Sequence, residues 1–228
     1  MPIERHPLDN PLWGALTSRH AALALGVGAV RRYPAEVAPF AASDHAAPLD
    51  PAALAALFAP GEATLWVGRR PAAPAGWRVD DLGPIDQLVC TSPRPVPPGP
   101  AIVPLEESHR PAVLALTALV YPHYFRPHTM RLGRYFGVFV AGQLAAMIGE
   151  RMAVPGFREL SAICTHPEHT GQGLARRLIA FVGNDLLARG ETPFLHVSPS
   201  NRRARDLYLQ NGYALRVGIP FWALTAPG

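Results

Sequence analysis

"ELSAICTHPEHTGQGLARRLIAFV", residues 159–182, passes from a strand-like run through a turn holding Gly171 and Gly173 into a stretch of helical periodicity. Leu174, Leu178, Val182 and Leu186 recur four apart on one face, while Arg176, Arg177 and Asp185 fall elsewhere, and Gly190 stands where a helix C′ residue belongs. The spacing predicts a helix over Leu174 to Arg189. Its N-terminus, directly behind the glycines, offers unpaired backbone N–H groups and the positive end of the helix dipole, which favour an anion. Glycines there let the backbone come close to a phosphate.

Two familiar phosphate loops are tested by the residues they lack here. A Walker loop needs Gly-Lys-Ser/Thr after the second glycine, but Leu174 and Ala175 follow and the sequence has no lysine, which excludes that type of nucleotide triphosphatase. A dinucleotide fingerprint needs a third glycine where Arg176 stands. A plain strand-to-helix turn stays open until the surroundings are read.

Outward from this stretch, Pro104 to Tyr121 reads as a helix, "RYFGVFVAG" and "QLAAMIGERM" as strands joined at Ala141-Gly142, and "FRELSAICT" as a third strand. After the central helix come a strand, "PFLHV" (193–197), a helix from Ser200 to Gln210 closed by Asn211-Gly212, and two strands around "YALRV" and "IPFWAL". Asn201 and Tyr208 lie nearly two helical turns apart and so share a face that one ligand could touch. Each has a structural alternative: Asn201 as a helix cap, Tyr208 as a half-buried aromatic with a wet hydroxyl.

The glycine turn and the Asn201/Tyr208 pair, in this order, resemble the GNAT superfamily of acyl-CoA-dependent N-acyltransferases over about residues 101–226. The resemblance implies a mixed α/β fold, α+β in arrangement, with a mostly antiparallel central sheet flanked by helices. It implies acetyl-CoA, or another acyl-CoA, as co-substrate, and no metal. In the family's Arg/Gln-x-x-Gly-x-Gly/Ala turn, Gly173 and Ala175 match the last two fixed positions, and Thr170 takes the first, so one usual side-chain contribution is missing. Thr170, Gly171, Gln172, Gly173, Leu174 and Ala175 would lie along the pyrophosphate, with main-chain amides of the last four as donors. Asn201 would bond the pantetheine arm, and Tyr208 would protonate the departing thiolate. The acyl-CoA would enter where the strands at 157–165 and 193–197 splay, with an N–H near Ile163 or Thr165 polarising the carbonyl.

Amine attack on a thioester needs an unprotonated amine, oxyanion donors and an acid for sulfur, but no covalent enzyme intermediate. Tyrosine, with an ordinary pKa of about 10, keeps its proton at neutral pH. Two residues compete as base. His196 stands where a branch that acetylates ribosomal-protein N-termini carries a glutamate; a histidine near pKa 6.5 can accept a proton, or it is a satisfied strand residue. Glu159 matches a region where other branches place a glutamate base, or it is a carboxylate paired with Arg158 or Arg151. The segment 120–136, with Tyr121, His123, Tyr124, Arg126, His128 and Arg131, covers the acceptor site in the resemblance; Tyr124 and Arg126 are its candidate acceptor-binding residues, unless the segment is a packing loop.

The proline-rich "SPRPVPPG" (92–99) cannot continue a helix or a central strand, so the chain is expected to divide there into residues 1–91, a connector at 92–100 and the acyltransferase part at 101–228. In the first part, Asn10 and Asp50 are expected to cap helices over 10–23 and from Pro51, followed by strands at 63–69 and 85–90. A smaller, degenerate first half that does not bind CoA is similar to the arrangement in glycine N-acyltransferase-like proteins.

Other classes fall away on composition. The net charge of +4 comes from scattered arginines, with no basic run and no aromatic series for stacking bases, so no nucleic-acid partner is expected. The start "MPIERHPLDN" is no secretion signal and no apolar run approaches the ~18 residues of a membrane span, which predicts a cytoplasmic protein. Cys90 and Cys164 suit buried thiols. His166 and His169 lack further ligands for zinc. The acceptor is expected to be a small-molecule or peptide amine; the rival reading is a module that binds acyl-CoA without catalysis.

Overall fold

The structure, a computed structural model, describes residues 6–44, 49–120, 122 and 124–228. Two compact units share the chain: one comprises Met1–Ile85, Met152–Pro155 and Gly218–Gly228, the other Asp86–Arg151 and Gly156–Val217.

In the first unit, α1 (Pro11–Leu16) precedes a three-stranded antiparallel sheet of β1 (Leu25–Val27), β2 (Val30–Arg32) and β3 (Ala41–Ser43). Then come α2 (Pro51–Leu57), β4 (Ala63–Val67) and the start of β5 (Arg78–Cys90). Asp50 caps α2 as expected, its carboxylate accepting the Ala52 N–H at 3.0 Å. Asn10 takes the N-cap position of α1 as expected but makes no side-chain capping bond; its amide donates instead to the Ser43 carbonyl at 2.9 Å. The expected helix over 10–23 is also cut short, because the hydroxyls of Thr17 and Ser18 bond back to the Trp13 and Gly14 carbonyls and satisfy the last turn. A second Gly-x-Gly, at 26–28, belongs to the β1–β2 hairpin and opens no helix. The end of β11 (Tyr213–Thr225) pairs antiparallel with β4, from Phe221↔Val67 to Thr225↔Ala63.

The second unit holds β6 (Val103–Leu105), α3 (Arg110–Val120), β7 (Tyr135–Val140), β8 (Gln143–Val154), β9 (Phe157–Thr165), α4 (Leu174–Ala188), β10 (Thr192–Val197) and α5 (Arg202–Gln210), with parts of β5 and β11. Its strands run in the order β11-β5-β10-β9-β8-β7-β6. Antiparallel pairing joins β5 to β10, β6 to β7 and β7 to β8, and a parallel pair joins β9 to β10. The fold is thus mixed α/β with a mostly antiparallel sheet.

Leu174, Leu178, Val182 and Leu186, the stripe read from the sequence, are all buried in a core that also takes Leu207 and Tyr208 of α5. A separate cluster packs Val113 and Leu116 of α3 with Leu105, Met147 and Cys164. Burial against both clusters explains why β8 is almost continuously apolar rather than alternating.

Two element assignments change. Pro104 does not start a helix: it sits inside β6, where a missing N–H is tolerated because the strand is at the sheet's edge, and α3 begins only at Arg110. The two closing strands are one, since Gly218 and Pro220 both accept extended backbone and the Pro220 carbonyl still bonds the Gly68 N–H at 2.8 Å.

Candidate active site

Gly171 and Gly173 have φ of 79° and 75°, left-handed values that glycine adopts without a steric penalty, and Gly173 is the N-cap of α4. A Cβ added at either would meet nothing within 4 Å, so it is the backbone conformation and not crowding that calls for glycine. The space beside the turn is open. Thr170 turns its hydroxyl back to the Pro167 carbonyl at 3.0 Å.

The strand leading into the turn is bent. β9 and β10 pair in parallel only from Phe157↔Thr192 to Glu159↔Phe194, although β9 runs on to Thr165 and β10 to Val197. Just past the last rung, Ala162 has φ of 49°, a conformation that costs a residue with a Cβ about 1–2 kcal/mol and is held here by its packing in the α3 core.

A cleft of ≈ 630 Å³ opens beside this bend. Ile163 and Thr165 line it from β9, and Thr170, Gly171, Gly173, Leu174 and Ala175 from the turn. Asn201 and Tyr208 line it from α5. Gln172 is exposed and is not among the lining residues. Asn201 caps α5 through its amide oxygen, which accepts the Ala204 N–H at 3.2 Å, so capping uses only half of that side chain. The exposed Arg176 and Arg203 also line the cleft and bring positive charge that the sequence had not singled out. Cys164 lines it as well; burial pushes its thiol up to about 12, which keeps it neutral near pH 7. The second cysteine, Cys90, is likewise free and buried.

The two candidate bases meet elsewhere. Neither His196 nor Glu159 lines the cleft, yet they touch one another, His196 Nδ1 lying 2.7 Å from Glu159 Oε1. Glu159 is fully buried and held by Arg151 through two hydrogen bonds of 2.6 Å each. Burial pushes its carboxyl up, but the charge and hydrogen bonds of Arg151, with the bond from His196, outweigh that and hold it down at about 2. A carboxylate with so low a pKa is a poor proton acceptor at pH 7. The far nitrogen of His196, Nε2, lies 3.0 Å from the amide nitrogen of Gln87, whose oxygen accepts from Arg216. Gln87 and Arg216 were not foreseen, though an uncharged polar residue within the apolar run "IDQLVC" is the kind of signal that could have marked Gln87.

Tyr124 and Arg126 precede the short 3-10 segment Thr129–Leu132 and lie outside the cleft; the Arg126 N–H donates to the Thr129 hydroxyl at 2.7 Å. Tyr121 and His123 fall outside the described residues. Among the described residues no three His, Cys, Asp or Glu side chains gather as a metal site, and no helix is long and apolar enough to cross a membrane.

The sequence model of the FR47-like protein family matches residues 135–220. A solved structure from Novosphingobium aromaticivorans, described as an acetyltransferase from the GNAT family, is 37% identical over 98% of this chain and 100% of its own, with a TM-score of 0.87. A GCN5-related N-acetyltransferase from Kribbella flavida shares the fold at 18% identity and a TM-score of 0.61, over 95% of this chain and 94% of its own. No curated protein matches.

Proposed function

We propose, from the premise that this chain belongs to the GNAT family, that it transfers an acetyl or other short acyl group from acyl-CoA directly to a primary amine. One observation carries the reading: a single cleft gathers the glycine turn, the parting of β9 from β10, and the Asn201/Tyr208 face of α5. In this account the turn's N–H groups from Gln172 to Ala175 hold the pyrophosphate, and Arg176 and Arg203 add charge at the cleft. Asn201 bonds the pantetheine arm through its amide nitrogen. An N–H near Ile163 or Thr165 polarises the thioester carbonyl.

The amine nitrogen attacks the carbonyl carbon, the carbon–sulfur bond breaks, and Tyr208 gives its proton to the leaving thiolate and recovers one from solvent through the open cleft. With the Cys164 thiol neutral, direct transfer is favoured over an acyl-cysteine. His196 and Glu159 are assigned no proton from the amine, because both His196 nitrogens and both Glu159 oxygens already have partners. The amine therefore enters as its free base and releases its proton to water, a step that ties the rate to the acceptor's own pKa. Tyr124 and Arg126 are kept as acceptor-side residues on the resemblance alone, with a small-molecule or peptide amine as acceptor, a cytoplasmic setting, and a first half that binds no CoA.

The test is release of free thiol from acetyl-CoA across a panel of primary amines. Release that requires an acceptor and rises with the fraction of free amine is expected. Binding of acetyl-CoA without release for any amine would overturn transfer and leave the acyl-CoA-sensing module.

A further inference from the structure

Five neighbouring strands each supply one side chain to a line of hydrogen bonds across the sheet: Arg216 on β11, Gln87 on β5, His196 on β10, Glu159 on β9 and Arg151 on β8. The line fixes its own protons. Arg216 occupies the Gln87 oxygen, so the Gln87 amide nitrogen must donate to His196 Nε2. Nε2 then carries the lone pair, and Nδ1 carries the hydrogen donated to Glu159. Gln87 and Glu159 are completely buried, so each bond stands in for water that cannot reach these groups.

The place of this line along the strands matters more than its strength. Backbone pairing between β9 and β10 ends at Glu159↔Phe194, and His196 lies two residues further along β10. The His196–Glu159 bond is thus a side-chain rung set just beyond the final backbone rung. Past it, β9 kinks at Ala162 and carries Ile163 to the cleft.

We infer that this line is a pin that fixes where β9 and β10 part, making Gln87, His196 and Arg216 positioning residues for the acyl transfer proposed above, on which the inference rests. They would act through the gap at Ile163, where a misplacement of about 1 Å can cost on the order of 100-fold in rate. The glycine turn, which holds the other end of the co-substrate, does not depend on them.

The variants are Gln87→Leu, Arg216→Met at the half-buried end in case the first does not fold, and His196→Asn, whose amide nitrogen reproduces the Nδ1 donor and has no titrating proton. Three readouts are compared with wild type: calorimetric Kd for free CoA, kcat with acetyl-CoA and the best amine across pH, and amide hydrogen exchange at 160–165 and 195–197 without ligand. The pin predicts faster exchange in both segments and a kcat at least about 10-fold lower for Gln87→Leu or Arg216→Met. It predicts a CoA Kd within about twofold of wild type, since the turn is untouched. His196→Asn, which keeps the donor to Glu159 but loses the acceptor for Gln87, lowers kcat to a similar degree as Gln87→Leu, with an unchanged pH profile.

Unchanged exchange in both pin variants would overturn the inference. So would a His196→Asn enzyme that loses about 100-fold and the acidic limb of its pH profile, because His196 would then be the base. If wild type turns over no amine, the transfer reading fails, while the exchange rates still decide whether the pin exists.

Discussion

Along β9 and the turn that follows it, two regions have opposite fates. Around Glu159 and His196 the polar groups are buried and satisfied by one another. A few residues on, from Ile163 through Gly173, backbone and side chains line an open cleft with exposed arginines beside it. The proposed transfer places its chemistry in the second region, because a group whose lone pairs and hydrogens are already committed to buried partners binds or exchanges a proton less readily. A histidine and a glutamate in suggestive positions are therefore not bases by position alone.

The sharpest way to break this contrast is to unbalance the closed region. Arg151→Ala strands the buried Glu159 carboxylate, and a loss of about 3–5 kcal/mol is expected in urea unfolding. A loss under about 1 kcal/mol would mean that Glu159 is not held as described.

Acid should reach the same pair more gently. The folded carboxyl of Glu159 lies near 2, below its ordinary 4.5, so the stabilisation is complete above pH 4.5 and is lost as pH falls from there towards 2. The contribution is about 3 kcal/mol, and wild type should therefore lose more of its stability across that window than Glu159→Gln.

The open region is tested through rate and not stability. Tyr208→Phe should lower kcat by about 100-fold or more, with the Kd for CoA unchanged and folding nearly so. A variant at full rate would remove Tyr208 from the chemistry. Smallest is the effect expected at Tyr213, whose hydroxyl is buried without a hydrogen-bond partner among the described residues and whose pKa is driven well above tyrosine's usual value by burial, with Cys90 and Tyr208 beside it. Tyr213→Phe should unfold within about 1 kcal/mol of wild type, or slightly later, since no bond is lost.

What the sequence made legible follows from what is local. The stripe from Leu174 to Leu186, the stop at Gly190 and the glycine turn are all encoded within one stretch, and Gly190, just past the end of α4, has φ of 74° as that pattern requires. Elements whose signals conflict were harder. Pro104 reads as a helix opener when its strand partner, β7, is not known, and Pro220 reads as a break where the strand in fact continues. Of the line of five side chains, the sequence offered only the Arg151–Glu159 pair, as one alternative; Gln87 meets partners 109 and 129 positions away, and no periodicity connects residues that only strand order brings together. The candidate site was legible to the extent that it is built from the turn and from one helix face.

The most direct measurement of the central claim is a calorimetric titration of wild type and of Gly173→Val with free CoA. Wild type should bind with a Kd of roughly micromolar order. The variant, denied the left-handed turn that aims the N–H groups, should bind at least about 10-fold more weakly while remaining folded. No binding by wild type, or equal binding by both, would contradict the assignment of the turn as the pyrophosphate site.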